Sequence, residues 1–214
     1  MLKLWGRANS VNVQKPMWAL AELGLPHERI DAGGNFGKID TPEFLKMNPN
    51  KRVPVLDDNG FVLWESNAIV RYLADTYGRG KLAPEGRHSF ARADQWSDWA
   101  LSTLYPDLIV NVFAPMIRVP KAERDHKAVA AAAKRTGEHL AILDRELEGK
   151  NFILGEQLTF ADVLTGVYMY RYYNLDIDRP RLGNVLGWYQ RLTVRPAYQQ
   201  HVMIDFAAMK VPGA

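Results

Sequence analysis

Between Asn50 and Gly78 the chain reads NKRVPVLDDNGFVLWESNAIVRYLADTYG, and this stretch restricts the fold more tightly than any other. Two short apolar runs, Val53-Pro54-Val55-Leu56 and Phe61-Val62-Leu63-Trp64, flank the turn Asp57-Asp58-Asn59-Gly60. An Asn-Gly step between such runs predicts a β-hairpin. Pro54 has no N–H to give a ladder, so it belongs at the start or edge of its strand. Val53 then keeps a free N–H and C=O with which an extended peptide can pair. Beyond the hairpin, Ile69, Tyr72, Leu73 and Tyr77 recur at helical spacing and predict a helix that closes at Gly78. Ser66 suits the cap of that helix, whose first-turn N–H groups attract a carboxylate. Glu65 beside it suits an ammonium. Each piece alone reads as a capped helix after a hairpin. Their order and compactness point instead to a site for the amino-acid end of a small peptide.

The flanking sequence alternates strand and helix signals. Leu2-Lys3-Leu4-Trp5 alternates as a strand should, and Val13, Met17, Leu20 and Ala21 form a helical stripe that stops at Gly24. His27-Glu28-Arg29-Ile30 is a second strand, and Thr41-Pro42-Glu43 opens a short helix with Thr as cap and Pro as first residue. The order β-α-β-α-β-β-α suits a small mixed sheet with helices on its faces. Lys81 to Gly86 reads as a linker, and everything beyond it is helical in character. Arg87–Arg118 is a long segment with Pro106 and Pro115 as expected kinks. Lys121–Leu147 carries an apolar stripe, and Thr159 and Asp162 form a capping box for a helix reaching Tyr173. Gly183–Thr193 and Pro196–Ala208 complete the bundle.

Val53-Pro54 followed by Glu65-Ser66-Asn67-Ala68-Ile69 resembles the glutathione-binding half of the cytosolic glutathione transferases. Thr159-Phe160-Ala161-Asp162 and Arg195-Pro196-Ala197-Tyr198 resemble helix starts of that family's second domain, so the likeness spans nearly the whole chain. It implies an α/β thioredoxin-like N-terminal domain over residues 1–80 and an all-α domain over residues 88–214. It implies a serine-type enzyme, theta- or nu-like among bacterial members, that turns the glutathione thiol into a thiolate for attack on electrophiles or peroxides. Two alternatives stand beside it, a glutathione-dependent disulfide reductase and a non-catalytic glutathione-binding scaffold or regulator.

Ser10 is the leading catalytic candidate. It follows the first strand in Gly6-Arg7-Ala8-Asn9-Ser10-Val11-Asn12, at the start of the first helix. Such a position stabilises an anion by about 0.3–1 kcal/mol when exposed and up to about 2 kcal/mol when partly buried. A hydroxyl bonded to the charged form lowers the pKa of a thiol further. By resemblance, serine-type transferases place their hydroxyl here, four residues past the strand-end glycine. Asn12 competes, because its amide N–H₂ donates equally well. Pro16 departs from the family pattern, and a helix starting as early as Val11 would bring it into the interior and distort the turn at Ser10. For glutathione itself, the resemblance assigns the backbone of Val53, ahead of a cis Pro54, to the cysteinyl unit, and Glu65 and Ser66 to the γ-glutamyl amine and carboxylate. Arg52 meets the glycyl carboxylate or a neighbouring carbonyl, with Lys38 a weaker candidate.

The electrophile pocket is expected between the domains, lined by Trp99, Tyr105, Phe113, Met116 and Phe206. Asp94 is a candidate to reach a partner subunit's ligand across a homodimer, as the family implies. The chain has no cysteine, which excludes disulfides, thiolate metal sites and a cysteine nucleophile. His126, His139 and His201 are read as surface residues, with no metal-ligand spacing among the five histidines. Net charge is only +3 over 214 residues, without a basic run, so nucleic acid is not an expected partner. No apolar run approaches the roughly 20 residues of a membrane span, and the N-terminus lacks a signal-like apolar stretch. A cytoplasmic protein with glutathione and a small hydrophobic electrophile as partners, and with neither metal nor other cofactor, is the expectation.

Overall fold

The computed structural model describes residues 1–214. Four strands form one mixed sheet. The strand β1 (Leu2–Trp5) runs parallel to β2 (His27–Ile30) and antiparallel to β3 (Val55–Asp58), which pairs with β4 (Phe61–Trp64) in the order β2-β1-β3-β4. Period-two alternation along β3 sends neighbouring side chains to opposite faces. Leu56 joins the main core with residues of α1 (Val11–Glu22) and α3 (Ser66–Tyr77). Val55 packs with Phe44 of α2 (Pro42–Met47) in a smaller cluster on the other side. The β-α-β-α-β-β-α order read from sequence is the observed one.

The hairpin turn is tighter than expected. Asn59 and Gly60 both take positive φ, 52° and 98°, the conformation of a two-residue type I′ turn. Asp57 and Asp58 therefore belong to β3 and not to the turn. Asp57 Oδ1 accepts from the Gly60 N–H at 2.7 Å, while the buried Asp58 carboxylate accepts from the Tyr72 hydroxyl at 2.7 Å and from Tyr77, tying the hairpin to α3.

The long helix Arg87–Arg118 runs unbroken through both prolines. It comprises α4 (Arg87–Trp99), two wider π-wound stretches (Ala100–Leu104 and Pro106–Phe113) and α5 (Ala114–Arg118). Proline cannot donate to the preceding turn, and the helix is wound more widely over the stretch that Pro106 opens. By length and composition the helix could cross a membrane, with mean hydropathy 1.3 over 18 residues. Its residues Ala100, Leu104, Leu108 and Val112 are fully buried in the protein's own core.

Helix α6 (His126–Glu146) starts later than the stripe suggested, because Asp125 caps it by accepting from the Ala128 N–H at 2.9 Å; Lys121–Glu123 form a separate turn. The expected helix from Thr159 to Tyr173 is two helices, α7 (Phe160–Gly166) and α8 (Met169–Asn174). The Tyr198 hydroxyl takes the Gly166 carbonyl at 3.0 Å, and the chain redirects there. Asp162 completes the expected capping box and is a buried hub. It accepts from the N–H groups of Ile153 and Thr159, the Thr159 hydroxyl and the Trp188 indole at 2.8–3.1 Å. Burial pushes its carboxyl above the ordinary range against those four donors. Helices α9 (Gly183–Thr193) and α10 (Pro196–His201) close the bundle, the latter shorter than expected. Trp18 of α1 meets Tyr198 of α10 edge-on at 4.7 Å, and one apolar cluster runs from Leu4 and Ile69 to Leu104 and Trp188. Helix α1 is thus sandwiched between the sheet domain and the helical domain.

Candidate active site

The turn after β1 sets the position of Ser10. Gly6 has φ 157°, and a Cβ there would lie 2.4 Å from a Val13 methyl, so only glycine lets the strand end this close to α1. Ser10 caps α1 with φ −80° and ψ 122°, and its carbonyl accepts from Val13 and Gln14 N–H, both at 2.9 Å. The cap is therefore regular although the helix starts at Val11 and Pro16 lies inside it, and the feared distortion is absent. Its hydroxyl makes no capping bond. An ordinary serine cap would spend that oxygen on the N–H of the second or third helical residue. Here the hydroxyl is left over at a helix start whose first turn contains no acidic residue.

Two loops carry the other candidates. Glu65, not Ser66, is the cap residue of α3, with φ 72° and ψ 112°, a conformation rare for a residue with a side chain. Such strain concentrates at functional positions. Ser66 is the first helical residue, buried, and its hydroxyl points to Asn12 Oδ1 at 3.5 Å. That contact joins the starts of α1 and α3 through the Asn12 amide oxygen, not its N–H₂. Glu65 is exposed and in no ion pair. The Val53–Pro54 peptide is cis, and the ladder of β3 begins only at Val55, leaving the Val53 N–H and C=O outside it. Arg52 and Lys38 are exposed; the Arg52 carbonyl accepts from Asn48 Nδ2 at 2.8 Å.

Two buried cations escaped the sequence reading. Lys15 has no exposed surface, and its ammonium donates to Asn67 Oδ1 at 2.9 Å and to Ser66 Oγ at 3.4 Å. It lies over the rings of Tyr168 and Tyr105 at 5.2 and 5.9 Å. Burial pushes its pKa down to about 7, with Glu65 opposing and Arg71 adding to the shift. Arg171 of α8 is 1% exposed and donates to Gln14 Oε1 at 2.7 Å and to the Asn9 carbonyl at 3.1 Å, with Phe113 stacked at 5.2 Å. Burial lowers its pKa to about 10. Neither cation has a carboxylate in bonding reach. A periodic reading would send Lys15 to solvent. The missed signal is that all of Val13 to Leu20 is buried, as befits a helix covered on two sides.

The expected electrophile residues separate. Phe113 and Phe206 are buried against each other at 5.2 Å, Tyr105 packs on Tyr168 at 5.9 Å, and Trp99 packs on Trp96 at 5.1 Å. Met116 and Phe206 line a cavity of about 1100 Å³ between α6, the loop after α8 and the C-terminal tail, to which none of the candidate glutathione residues contributes. Asp94 is held within its own chain by Arg71 at 2.5 Å, and Asp98 pairs with the same arginine. His139 is half-buried on Asp107 Oδ2 at 3.0 Å, and His201 is half-buried with a lowered pKa from burial, so both are only partly exposed. His126 is exposed, as expected.

Residues 1–75 match the family description "Glutathione S-transferase, N-terminal domain", and residues 104–196 match its C-terminal counterpart. The chain belongs to the glutathione S-transferase family. Glutathione S-transferase GstB of Escherichia coli strain K12 is 40% identical over 206 residues, 95% of this chain and 99% of its own length. Among solved structures, a theta class glutathione S-transferase of Xanthomonas axonopodis pv. citri with glutathione bound superposes with a TM-score of 0.90 at 42% identity. It covers 95% of this chain and 98% of its own. The Bombyx mori transferase BmGSTD1 follows the same fold, with a TM-score of 0.85 and 30% identity over 97% of this chain and 95% of its own. The thioredoxin-like sheet domain with an appended helical domain is the architecture of this family.

Proposed function

We propose that this glutathione S-transferase conjugates glutathione to small apolar electrophiles, with Ser10 stabilising the thiolate. The observation that carries the reading is the Ser10 hydroxyl, unspent on capping at the start of a helix with no acidic residue in its first turn. A thiol placed there receives an O–H donor and the N-terminal field of α1, and both favour its charged form. The thiolate attacks the electrophilic carbon, the carbon–sulfur bond forms, and the leaving group departs with its electron pair. Asn12 is an auxiliary donor through its amide N–H₂, while its amide oxygen accepts from Ser66.

In this reading residues 1–80 form the glutathione domain and residues 88–214 supply the electrophile pocket. Val53, ahead of Pro54, pairs its backbone with the cysteinyl unit, Glu65 takes the γ-glutamyl ammonium, Ser66 takes the carboxylate, and Arg52 meets the glycyl end. Glutathione is a cosubstrate, and no further cofactor is invoked. We place the protein in the cytoplasm as a homodimer. The apolar side chains Phe61, Val62 and Trp64, 37–51% exposed on the edge strand β4, support an assembly that covers them. Conjugation of glutathione to a chlorodinitroarene, followed by absorbance, tests the function. Turnover that falls at least tenfold in Ser10→Ala is the expected result; wild-type binding of glutathione without turnover of any electrophile or peroxide would favour a scaffold instead.

A further inference from the structure

We infer that Lys15 is a positioning residue for the glutathione site, a buried ammonium that holds Ser66 and Asn67 ready for the γ-glutamyl carboxylate. The inference rests on the proposed glutathione site at the start of α3. Lys15 is fully buried, yet no carboxylate stands within ion-pair distance, and its bonds go to the first two residues of α3. A buried charge without a counter-ion is costly, and replacing such groups by apolar residues is often neutral or stabilising. A methionine of similar length would fill the same space between Tyr105 and Tyr168. The charge is therefore better explained by an anion that arrives from outside than by the stability of the fold.

The hydrogen-bond inventory shows how it acts. A charged Lys15 can only donate, so Ser66 Oγ accepts from it and must direct its own hydrogen elsewhere. The available acceptor is Asn12 Oδ1, at a weak 3.5 Å, until a carboxylate takes its place. A neutral Lys15 amine would accept instead, turning the Ser66 hydrogen inward and away from the ligand. Glu65, exposed and unpaired, precedes Ser66 in the chain, and the buried Lys15 bonds to Ser66, so opposite charges meet at the start of α3, matching the ammonium and carboxylate of one amino-acid end. The other charged or titratable groups facing Lys15 are Arg71 from α3, Tyr105 from the long helix and Tyr168, the cap residue of α8. Arg71 is committed to Asp94 and Asp98, and α10 meets α1 farther along, through Tyr198 at Trp18 and Arg195 at Glu22.

Calorimetry with S-methylglutathione, which carries no ionisable thiol, isolates this effect. With the Lys15 pKa near 7, wild-type Kd should weaken about fivefold between pH 7 and pH 8 as the ammonium loses its proton before binding. At about pH 8, binding should take up most of one proton, read from buffers of different ionisation enthalpy. Lys15→Met should bind about tenfold more weakly at about pH 6, with no pH dependence and no proton uptake. Equal affinity in Lys15→Met, or a wild type without proton uptake, would overturn the role of Lys15 while leaving the glutathione site standing. No binding by the wild type at any pH would remove the site and this inference with it. The proton-uptake measurement needs no variant, so a misfolded Lys15→Met would not leave the question open.

Discussion

Replacing Arg171 by methionine sets two large terms against each other. The guanidinium sits 1% exposed without a carboxylate, and burial lowers its pKa from 12.5 to about 10. At about 1.4 kcal/mol per unit, that charge costs the fold roughly 3 kcal/mol. Removing it relieves the cost but orphans Gln14 Oε1 and the Asn9 carbonyl, each worth about 1–3 kcal/mol when buried and unpaired. The two nearly cancel, so Arg171→Met should unfold in urea within about 2 kcal/mol of wild type. Function should not be spared. Asn9 immediately precedes Ser10, and Arg171 fixes it from the helical domain, so the variant frees the turn that places the hydroxyl. A misplacement of about 1 Å costs on the order of 100-fold in rate. A fall of about 10- to 100-fold in kcat/KM with a higher pKa for the bound thiol is expected. A loss above about 4 kcal/mol with unchanged kcat/KM in the folded fraction would show that Arg171 only packs, and the reasoning would fail.

Other outcomes follow from the same geometry. Asp162→Ala strips the acceptor from three buried N–H donors and a hydroxyl, and urea unfolding should show a loss of about 3–5 kcal/mol; a loss under about 1 kcal/mol would contradict the hub. Glu65→Gln removes the charge expected to face the γ-glutamyl ammonium, and KM for glutathione should rise at least tenfold with a smaller change in kcat; an unchanged KM would clear Glu65. The Asp107 carboxyl is held below the ordinary range by hydrogen bonds from Arg135, aided by His139 and Asn111 against burial. A depressed carboxyl pKa contributes stability above the ordinary value near 4 and loses it as pH falls through the folded value. Acid unfolding of Asp107→Asn should therefore be shallower than wild type; parallel acid limbs would remove the linkage.

Much of the N-terminal domain was legible because its signals are local. Asn59-Gly60 needs only its own φ angles to make the turn, and Pro54 marks the strand start by lacking an N–H. The helix that begins at Ser66 was equally readable, but the cap moved to Glu65 because a left-handed residue there was not readable from residue type. In the helical domain, Pro106 marked a disturbance of the long helix, but its residue type did not say that the chain would widen there. The break at Gly166 depends on Tyr198, 32 residues away, which periodicity cannot see. Lys15 and Arg171 were missed for the same reason: their burial depends on a second domain covering α1. The five residues expected around the electrophile share an apolar character, and that character alone could not separate core partners such as Phe113 from a cavity wall such as Met116.

The central claim, that a free hydroxyl at the start of α1 makes the glutathione sulfur anionic, is tested most directly by the thiol pKa in the binary complex, titrated by thiolate absorbance. Wild type should ionise about one to two units below the free-thiol value near 8.5, and Ser10→Ala should return most of that shift. The same low pKa in Ser10→Ala, or an ordinary pKa in the wild-type complex, would contradict the account.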